Sequence, residues 1–425
     1  MGNILLKEAS LILSPKVRRN TNIYLENGVV ARIGDGVLAG ESSDWTVDCH
    51  KKLVAPGLAN CHTHLPMTLL RGLAEDLRLK DWLTTKIWKL EPKLRPEHVV
   101  AGAQAGAIEL AMCGVTAFGD MYMYEKEVAD AATKIGLRML ACPVILDTGP
   151  WQHGVEEALA EVSAIRRSRT MNVGLAPHST YSCTKETLQR VADYSEKLDL
   201  KVHIHLAETR WSQEQSVQSN GLRETFYLDR LNLIGPKLLA AHAVWLTKQE
   251  ASLLGARRAS TVFCPVSNMK LAEGGVSPVP ELLEAGAHVG FGTDGSASNN
   301  SLNLLETAKM GALLIKHSRW DASLMAAQTL WKIMTESGYQ SLGFRPNVLA
   351  EGSEADVITF DCSRPDTAVS PAADPFASTV YGASRVVDSF VAGEPVMVDG
   401  KVHGVSEEKV FEEYLKASSE IADLS

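Results

Sequence analysis

Residues 53–64 are Leu-Val-Ala-Pro-Gly-Leu-Ala-Asn-Cys-His-Thr-His, a short apolar run that ends in two histidines. A short apolar run of this kind is consistent with a strand that is buried on both faces. Two residues at positions i and i+2 of a strand point to the same side. His62 and His64 can therefore reach one common ion at the end of a buried strand.

Seven further apolar runs follow along the chain, and stretches with helical periodicity separate them. The runs span residues 115–122, 138–146, 172–179, 201–208, 238–246, 260–269 and 288–295. The stretch 97–113, for example, has one apolar face and ends at Gly114, a residue that favours a helix end. Strand and helix repeated eight times predict an α/β fold, a closed parallel (β/α)8 TIM barrel. A doubly wound open sheet is the alternative on pattern alone.

Both ends of the chain have a different pattern, in which short alternating strands are separated by turns, one of them at Gly34-Asp35-Gly36. Two β segments that flank a barrel are expected to pair with each other. We therefore predict a small composite β domain built from residues 1–54 and 346–425, the latter ending in a helix, and a catalytic barrel over residues 55–345.

Composition limits the possible partners. The 425 residues include 51 acidic and 42 basic residues, a net charge of −9, which argues against nucleic acid as a partner. Uncharged apolar windows of about 18 residues do not occur, so no membrane span or membrane partner is expected. The seven cysteines are odd in number, widely spaced and without a Cys-x-x-Cys pair, which predicts a reducing, cytoplasmic setting.

Polar residues that could carry chemistry occur at the ends of four predicted strands. In a TIM barrel the reactive groups sit at the carboxyl ends of the strands, so these side chains should meet. Three imidazoles and one carboxylate with an open position are typical of a catalytic zinc site, and the same ligands also suit Fe or Mn. The candidates are His62, His64, His203, His205, Glu208, His242 and Asp294.

Four of these segments carry a family resemblance. Residues 57–64, 205–208, 241–246 and 292–295 resemble the motifs of the amidohydrolase superfamily. Within it, the chain is most similar to the 5-methylthioadenosine/S-adenosylhomocysteine deaminases, over essentially its whole length. Triazine hydrolases and other aminohydrolases share many of these motifs.

The resemblance implies a role for each residue of the predicted metal site. His62, His64, His205 and Asp294 would hold one divalent metal ion, with Zn expected and Fe or Mn possible. Glu208 would protonate the ring nitrogen beside the carbon under attack. His242 would polarise the attacking hydroxide, and Asp294 would also accept the proton of the water.

The predicted fourth strand, residues 172–179, has no lysine that could be carboxylated to bridge two metals, so a mononuclear site is expected. His203 has the same parity as His205 but lies deeper in the strand, and we expect it to have a structural role in the core.

The resemblance also implies substrate contacts. Glu91 matches an acidic residue that binds the two ribose hydroxyls, and a carboxylate suits a vicinal diol because it accepts two hydrogen bonds. Trp82 would form an apolar wall, Glu208 would contact the base, and His178 would contact the purine. Residues 147–153 contain no arginine that could bind a homocysteine carboxylate, which leaves the use of S-adenosylhomocysteine open.

These residues predict a metal-dependent hydrolase of a C–N bond in a cyclic amidine. It would remove the 6-amino group of adenosine, 5'-deoxyadenosine, 5'-methylthioadenosine or S-adenosylhomocysteine and release the inosine counterpart and ammonia. The alternatives are an aminohydrolase or chlorohydrolase of another nitrogen heterocycle, such as a triazine or a guanine-type base, and a non-catalytic scaffold on the same fold. The expected partners are a small-molecule substrate and further copies of the chain in a dimer or tetramer.

Overall fold

The computed structural model describes residues 2–12, 17–34, 43–149, 151–370, 372–382 and 384–424. Eight parallel strands form a closed barrel, and nine further strands form a separate sheet. The predicted TIM barrel with a β unit from both chain ends is thereby confirmed. The predicted turn at Gly34-Asp35-Gly36 extends beyond the described residues.

The strands differ in environment: those of the barrel are buried along nearly their whole length, whereas the separate sheet has more exposed positions. The strands are β1 (Ile4–Ile12), β2 (Val17–Glu26), β3 (Val29–Ile33), β4 (Trp45–Asp48), β5 (Lys52–Pro56), β6 (Leu58–Thr63), β7 (Val115–Tyr122), β8 (Arg138–Ile145), β9 (Met171–Pro177), β10 (Lys201–Leu206), β11 (Leu238–His242), β12 (Ser260–Phe263), β13 (His288–Phe291), β14 (Val357–Asp361), β15 (Val386–Val391), β16 (Glu394–Val398) and β17 (Lys401–Val402).

Helices connect the barrel strands and cover the outside of the barrel. The helices are α1 (Leu79–Trp82), α2 (Trp88–Leu90), α3 (Pro96–Met112), α4 (Glu125–Ile135), α5 (Val155–Ala164), α6 (Lys185–Leu198), α7 (Arg210–Asn220), α8 (Glu224–Arg230), α9 (Lys248–Ala256), α10 (Pro265–Lys270), α11 (Val279–Glu284), α12 (Ser296–Asn299), α13 (Leu304–Arg319), α14 (Ala327–Lys332), α15 (Gly338–Ser341), α16 (Pro375–Tyr381) and α17 (Glu407–Ala422). Among the described helices, none is both long and apolar enough to cross a membrane.

The first predicted barrel strand is in fact two strands. β5 pairs with β1 and β14 in the separate sheet, and only β6 enters the barrel. The chain changes sheets at Pro56 and Gly57. A Cβ atom on Gly57 would lie 2.0 Å from Thr116 Oγ1, so a side chain at this crossing would clash with the neighbouring strand. The continuous apolar run conceals the change because both strands are buried.

The seventh predicted strand, residues 260–269, is also shorter than expected. β12 ends at Phe263 and α10 begins at Pro265, and proline favours the first position of a helix. This early end carries Ser267 and Asn268 into the mouth of the barrel on a helical turn.

The separate sheet joins the two ends of the chain. Its order is β17-β16-β15-β14-β5-β1-β2-β3, with β4 beside β1. The antiparallel pairing of β5 with β14 connects the amino-terminal strands to the carboxyl-terminal ones. The last helix, α17, lies on the barrel, where Tyr414 Oη donates a hydrogen bond to the Thr68 carbonyl at 2.9 Å.

A buried ion pair fixes the barrel to this sheet. Arg138, at the start of β8, is 2% exposed and contacts both carboxylate oxygens of Asp356. Tyr339 Oη donates a further hydrogen bond to Asp356 Oδ2 at 2.7 Å. The Ala392 backbone N–H donates to Asp356 Oδ1 at 2.7 Å. One carboxylate therefore satisfies groups from both parts of the molecule.

Replacing Asp356 with alanine should lower the free energy of unfolding by about 3–5 kcal/mol, because the Arg138 guanidinium would stay buried without its main partner. Urea denaturation measures this change. The control is Glu156→Ala, which removes an exposed partner of Arg190 and should cost less than about 1 kcal/mol. Equal losses in the two variants would contradict the assignment.

Candidate active site

Four side chains from three barrel strands converge at the carboxyl-terminal mouth. His62 lies on β6, His64 directly follows it, His205 lies on β10, and Asp294 follows β13. The Nε2 atoms of His62 and His64 lie 3.3 and 3.2 Å from Asp294 Oδ1. His205 Nε2 lies 3.4 Å from His64 Nε2. Three imidazole nitrogens and one carboxylate oxygen thus face a common centre. These four side chains, of His62, His64, His205 and Asp294, are called the cluster below.

The outward-facing atoms of these residues are held by neighbours, which orients the inward-facing ones. Each histidine uses Nδ1 for a hydrogen bond away from the centre and leaves Nε2 directed towards it. These contacts are His62 Nδ1 with His203 Nε2 at 2.9 Å, His64 Nδ1 with the Met121 carbonyl at 2.6 Å, and His205 Nδ1 with the His178 carbonyl at 2.8 Å.

The carboxylate of Asp294 is oriented in the same way. Its Oδ2 atom accepts hydrogen bonds from Ser267 Oγ at 2.6 Å and from Ser298 Oγ at 2.9 Å. The Oδ1 atom is left for the centre. Asp294 has a φ of 62°, a strained conformation for a residue other than glycine, and such strain is common at functional sites.

The protonation states of His62, His205 and Asp294 favour the binding of a cation. Burial lowers the pKa of His62, and burial with the neighbouring histidines lowers the pKa of His205 well below its usual value. Burial raises the pKa of Asp294, but the close contacts of its Oδ1 atom with His62 and His64 outweigh burial and hold that pKa well below its usual value. At His64, the close contact with Asp294 outweighs burial and raises the pKa to about 9. The imidazole of His64 therefore holds an additional proton at neutral pH, and a bound cation would have to displace it.

These donors fit a divalent metal ion. His62 Nε2 is a buried atom without a hydrogen-bond partner among the described residues, and it points into the cluster. His62, His64 and Asp294 each offer one atom within 4.8 Å of the others, and His62 and His205 share a second such group with His242. Imidazole and carboxylate ligands with an open position are those of a catalytic zinc-type site.

Two further polar side chains lie beside the cluster. His242, the last residue of β11, has Nε2 3.5 Å from Glu208 Oε1. Asn268 Nδ2 donates to His242 Nδ1 at 2.9 Å, so the imidazole proton is on Nε2 and faces Glu208 and the centre. Burial lowers the pKa of His242 to about 3 and raises the pKa of Glu208 to about 8. At neutral pH, His242 is neutral and Glu208 holds a proton.

A cavity opens over the cluster. Its wall is largely apolar and aromatic and includes Trp82, the last residue of α1. Glu91 also lines it, with Trp151 Nε1 3.4 Å from Glu91 Oε2. Burial raises the pKa of Glu91 to about 7. His178 follows β9, lines the cavity, and has its ring centroid 4.6 Å from that of His205.

Eight of the nine predicted site residues line one cavity, and the ninth, His62, lies behind it in contact with Asp294. The structure also places His203, expected in the core, in direct contact with His62. Sequence reasoning missed the residues that orient these side chains: Ser267 and Asn268 on α10, Ser298 on α12, and Trp151. Ser298 lies four residues after Asp294, so its position close behind a ligand was the available signal. No comparable pattern marks Trp151, which is distant in sequence from Glu91.

Comparisons with known proteins agree with this geometry. A model of the amidohydrolase family matches residues 53–402. The chain is 34% identical to a 5'-deoxyadenosine deaminase of Methanothrix thermoacetophila, over 96% of this chain and 97% of that one. It is 35% identical to a 5-methylthioadenosine/S-adenosylhomocysteine deaminase of Pyrococcus furiosus, over 93% and 95% of the two chains.

The same agreement holds for a solved structure. An adenosine deaminase from Xanthomonas campestris, crystallised with bound zinc, superposes with a TM-score of 0.93 at 31% identity. The match covers 99% of this chain and 98% of that one.

We expect the purified protein to retain about one divalent ion per chain and His62→Ala to lose most of it, because a ligand is removed. Elemental analysis by mass spectrometry measures the metal content. His178→Ala is the matched control, since it removes a neighbouring imidazole but leaves the carbonyl that orients His205. Equal metal content in the His62 variant and the parent protein would contradict the site.

Proposed function

The chain belongs to the amidohydrolase family, and we propose that it hydrolytically removes the 6-amino group of adenosine derivatives. The observation that carries the proposal is the set of residues around one cavity. A four-donor cluster and the proton-holding Glu208 lie at its base, and the carboxyl of Glu91 lines the same space. In this proposal an aminated ring bound over the cluster faces Glu208, and the ribose attached to that ring reaches Glu91.

In this proposal His62, His64, His205 and Asp294 hold one divalent ion, which lowers the pKa of a bound water and so supplies hydroxide at neutral pH. Zinc is the ion we propose, since the relative of known structure holds zinc and the donor set suits it.

The protein's own residues move the protons. Glu208 donates its proton to the ring nitrogen next to the amino-bearing carbon, which makes that carbon more electrophilic. The Nε2–H group of His242 donates a hydrogen bond to the oxygen that adds to the carbon. Asp294 accepts one proton of the attacking water at its carboxylate, and that proton leaves with ammonia. When the C–N bond breaks, the remaining O–H proton of the added oxygen passes to Glu208, which restores the acid and leaves the carbonyl of the product. General acid–base steps of this kind contribute about 10²- to 10⁴-fold each.

The cavity residues select the substrate. We propose that the two ribose hydroxyls donate hydrogen bonds to the Glu91 carboxylate, whose position Trp151 fixes. Trp82 forms an apolar wall, and His178 contacts the purine. Burial lowers the pKa of His178 to about 3, so its imidazole is neutral and suited to a neutral base.

The lining of the cavity also limits the 5' group of the substrate. Among the described residues, neither lysine nor arginine lines it. A homocysteine tail carries an ammonium and a carboxylate, and burying such charges without partners is costly. We therefore propose that 5'-deoxyadenosine and 5'-methylthioadenosine are better substrates than S-adenosylhomocysteine.

The location and assembly of the protein remain predictions. The seven cysteines are free thiols and five of them are buried, as expected for a cytoplasmic enzyme. A dimer or tetramer is proposed only on the general frequency of homo-oligomers.

Deamination is tested by mixing the metal-loaded protein with 5'-methylthioadenosine and following the adenine absorbance. We expect turnover to inosine-type product, and turnover of S-adenosylhomocysteine at least about tenfold slower, because its charges lack partners. Glu208→Gln keeps the size of the side chain but should lower kcat by about 10²- to 10⁴-fold. No spectral change with any adenosine derivative would refute the proposal.

Glu91→Gln tests recognition of the ribose. We expect kcat/KM to fall by about 10- to 100-fold for nucleosides and to change little for free adenine, because only nucleosides carry the diol. Since the pKa of Glu91 is raised to about 7, the advantage of nucleosides over the base should grow from pH 6 to pH 8, as the carboxylate forms. Glu97→Gln, an exposed carboxylate on α3, is the control. An equal loss on base and nucleoside would favour a triazine- or guanine-type activity.

A further inference from the structure

A second buried carboxyl group, that of Glu273, lies directly behind the proposed general acid. Glu273 follows α10 and is 7% exposed. One carboxylate oxygen of Glu273, one of Glu208 and one ring nitrogen of His242 all lie within 4.8 Å of one another. Glu273 does not line the cavity, so it would influence the reaction through Glu208 and His242.

The polar contacts of Glu273 leave one oxygen free for Glu208. Asn268 Nδ2 donates to Glu273 Oε2 at 2.8 Å and to His242 Nδ1 at 2.9 Å. The Oε1 atom is buried and has no hydrogen-bond partner among the described residues. The described structure shows no lysine or arginine paired with this carboxyl group, so no positive side chain neutralises it.

Two carboxyl groups this close in a buried site do not both ionise, so at least one of them holds a proton at all times. Burial and the neighbouring Glu208 raise the pKa of Glu273 well above its usual value. Glu208 lines the cavity and Glu273 does not, so Glu208 is the member that can pass a proton to a substrate and Glu273 is the member that keeps its own.

We propose that Glu273 is a positioning residue that donates a hydrogen bond from its protonated carboxyl group to Glu208 and, through Asn268, fixes the orientation of His242. This role rests on the proposed deamination. When the Glu208 proton passes to the ring nitrogen, Glu208 becomes a carboxylate, and the Glu273 O–H group stabilises that charge. The proton of Glu273 stays on Glu273, so the pair neither gains nor loses a proton beyond the one that Glu208 transfers.

The same contacts specify the tautomer of His242. Because Asn268 donates to Nδ1, the proton of the imidazole must be on Nε2, the atom that faces Glu208 and the cluster. Glu273 accepts the second N–H of the same amide and so holds the amide in this orientation. A single buried carboxyl group thus supports both residues proposed to act on the substrate.

The experiment compares Glu273→Gln with Glu273→Leu in the metal-loaded enzyme. Glutamine has a donor for Glu208 and an acceptor for Asn268, so kcat should stay within about threefold of the parent. Leucine has a similar volume but neither group, so kcat should fall by about 10- to 100-fold with little change in KM. Glu250→Leu removes another buried carboxylate, on α9, and should lower the melting temperature without a comparable loss of kcat.

A readout without turnover separates this inference from the proposed activity. The infrared spectrum of the protein near neutral pH should lose one C=O band of a buried protonated carboxylic acid in Glu273→Gln. If that band is lost but no substrate is deaminated, the proposed function fails and the protonated pair stands. An unchanged spectrum, or glutamine and leucine variants with equal kcat, would overturn the inference.

Discussion

The active centre depends on the pairing that closes the barrel between its last and first strands. β13 and β6 are joined by the pair Phe291 and Asn60, and the Asn60 side chain bonds both the Thr293 hydroxyl and the Thr293 backbone N–H. The Asp294 backbone N–H then donates to the His62 carbonyl at 3.0 Å. A Cβ atom on Gly292 would lie 2.8 Å from His62 Cβ, so the absence of a side chain permits this approach. Closing the barrel and assembling the cluster are therefore one event.

Burial then determines the protonation state of most ionisable side chains in this centre. Removal from water makes His205 and His242 neutral and keeps Glu208 protonated at neutral pH, whereas contact with Asp294 raises the pKa of His64 to about 9. Among the carboxyl groups, Asp294 is the exception because it stands among hydrogen-bond donors that favour its charge. In the proposed mechanism, carboxyl groups of the same chemical type thus serve as ligand and as acid, and the difference lies in their neighbours and not in their own structure.

The sequence predicted the elements whose burial leaves a pattern. Barrel strands are apolar along their length, so β7 was located to the residue, and the parity of His62 and His64 followed from strand geometry. The failures occurred where two buried elements adjoin, as at Pro56 and Phe263, since hydrophobicity does not mark a change of sheet or the start of a helix. The role of Glu273 could not be predicted, because its partners lie on β11 and beyond β10 and meet it only in three dimensions.

The pairing of β5 with β14 has a consequence for biosynthesis. The ribosome produces β5 early, but its partner emerges only after all eight barrel strands have been made. Throughout elongation, one edge of β5 has exposed backbone donors and acceptors, and such an edge can recruit foreign strands. All eight barrel strands leave the ribosome before this edge is covered. A chain that stops before β14 would therefore carry every barrel strand together with an unpaired strand edge.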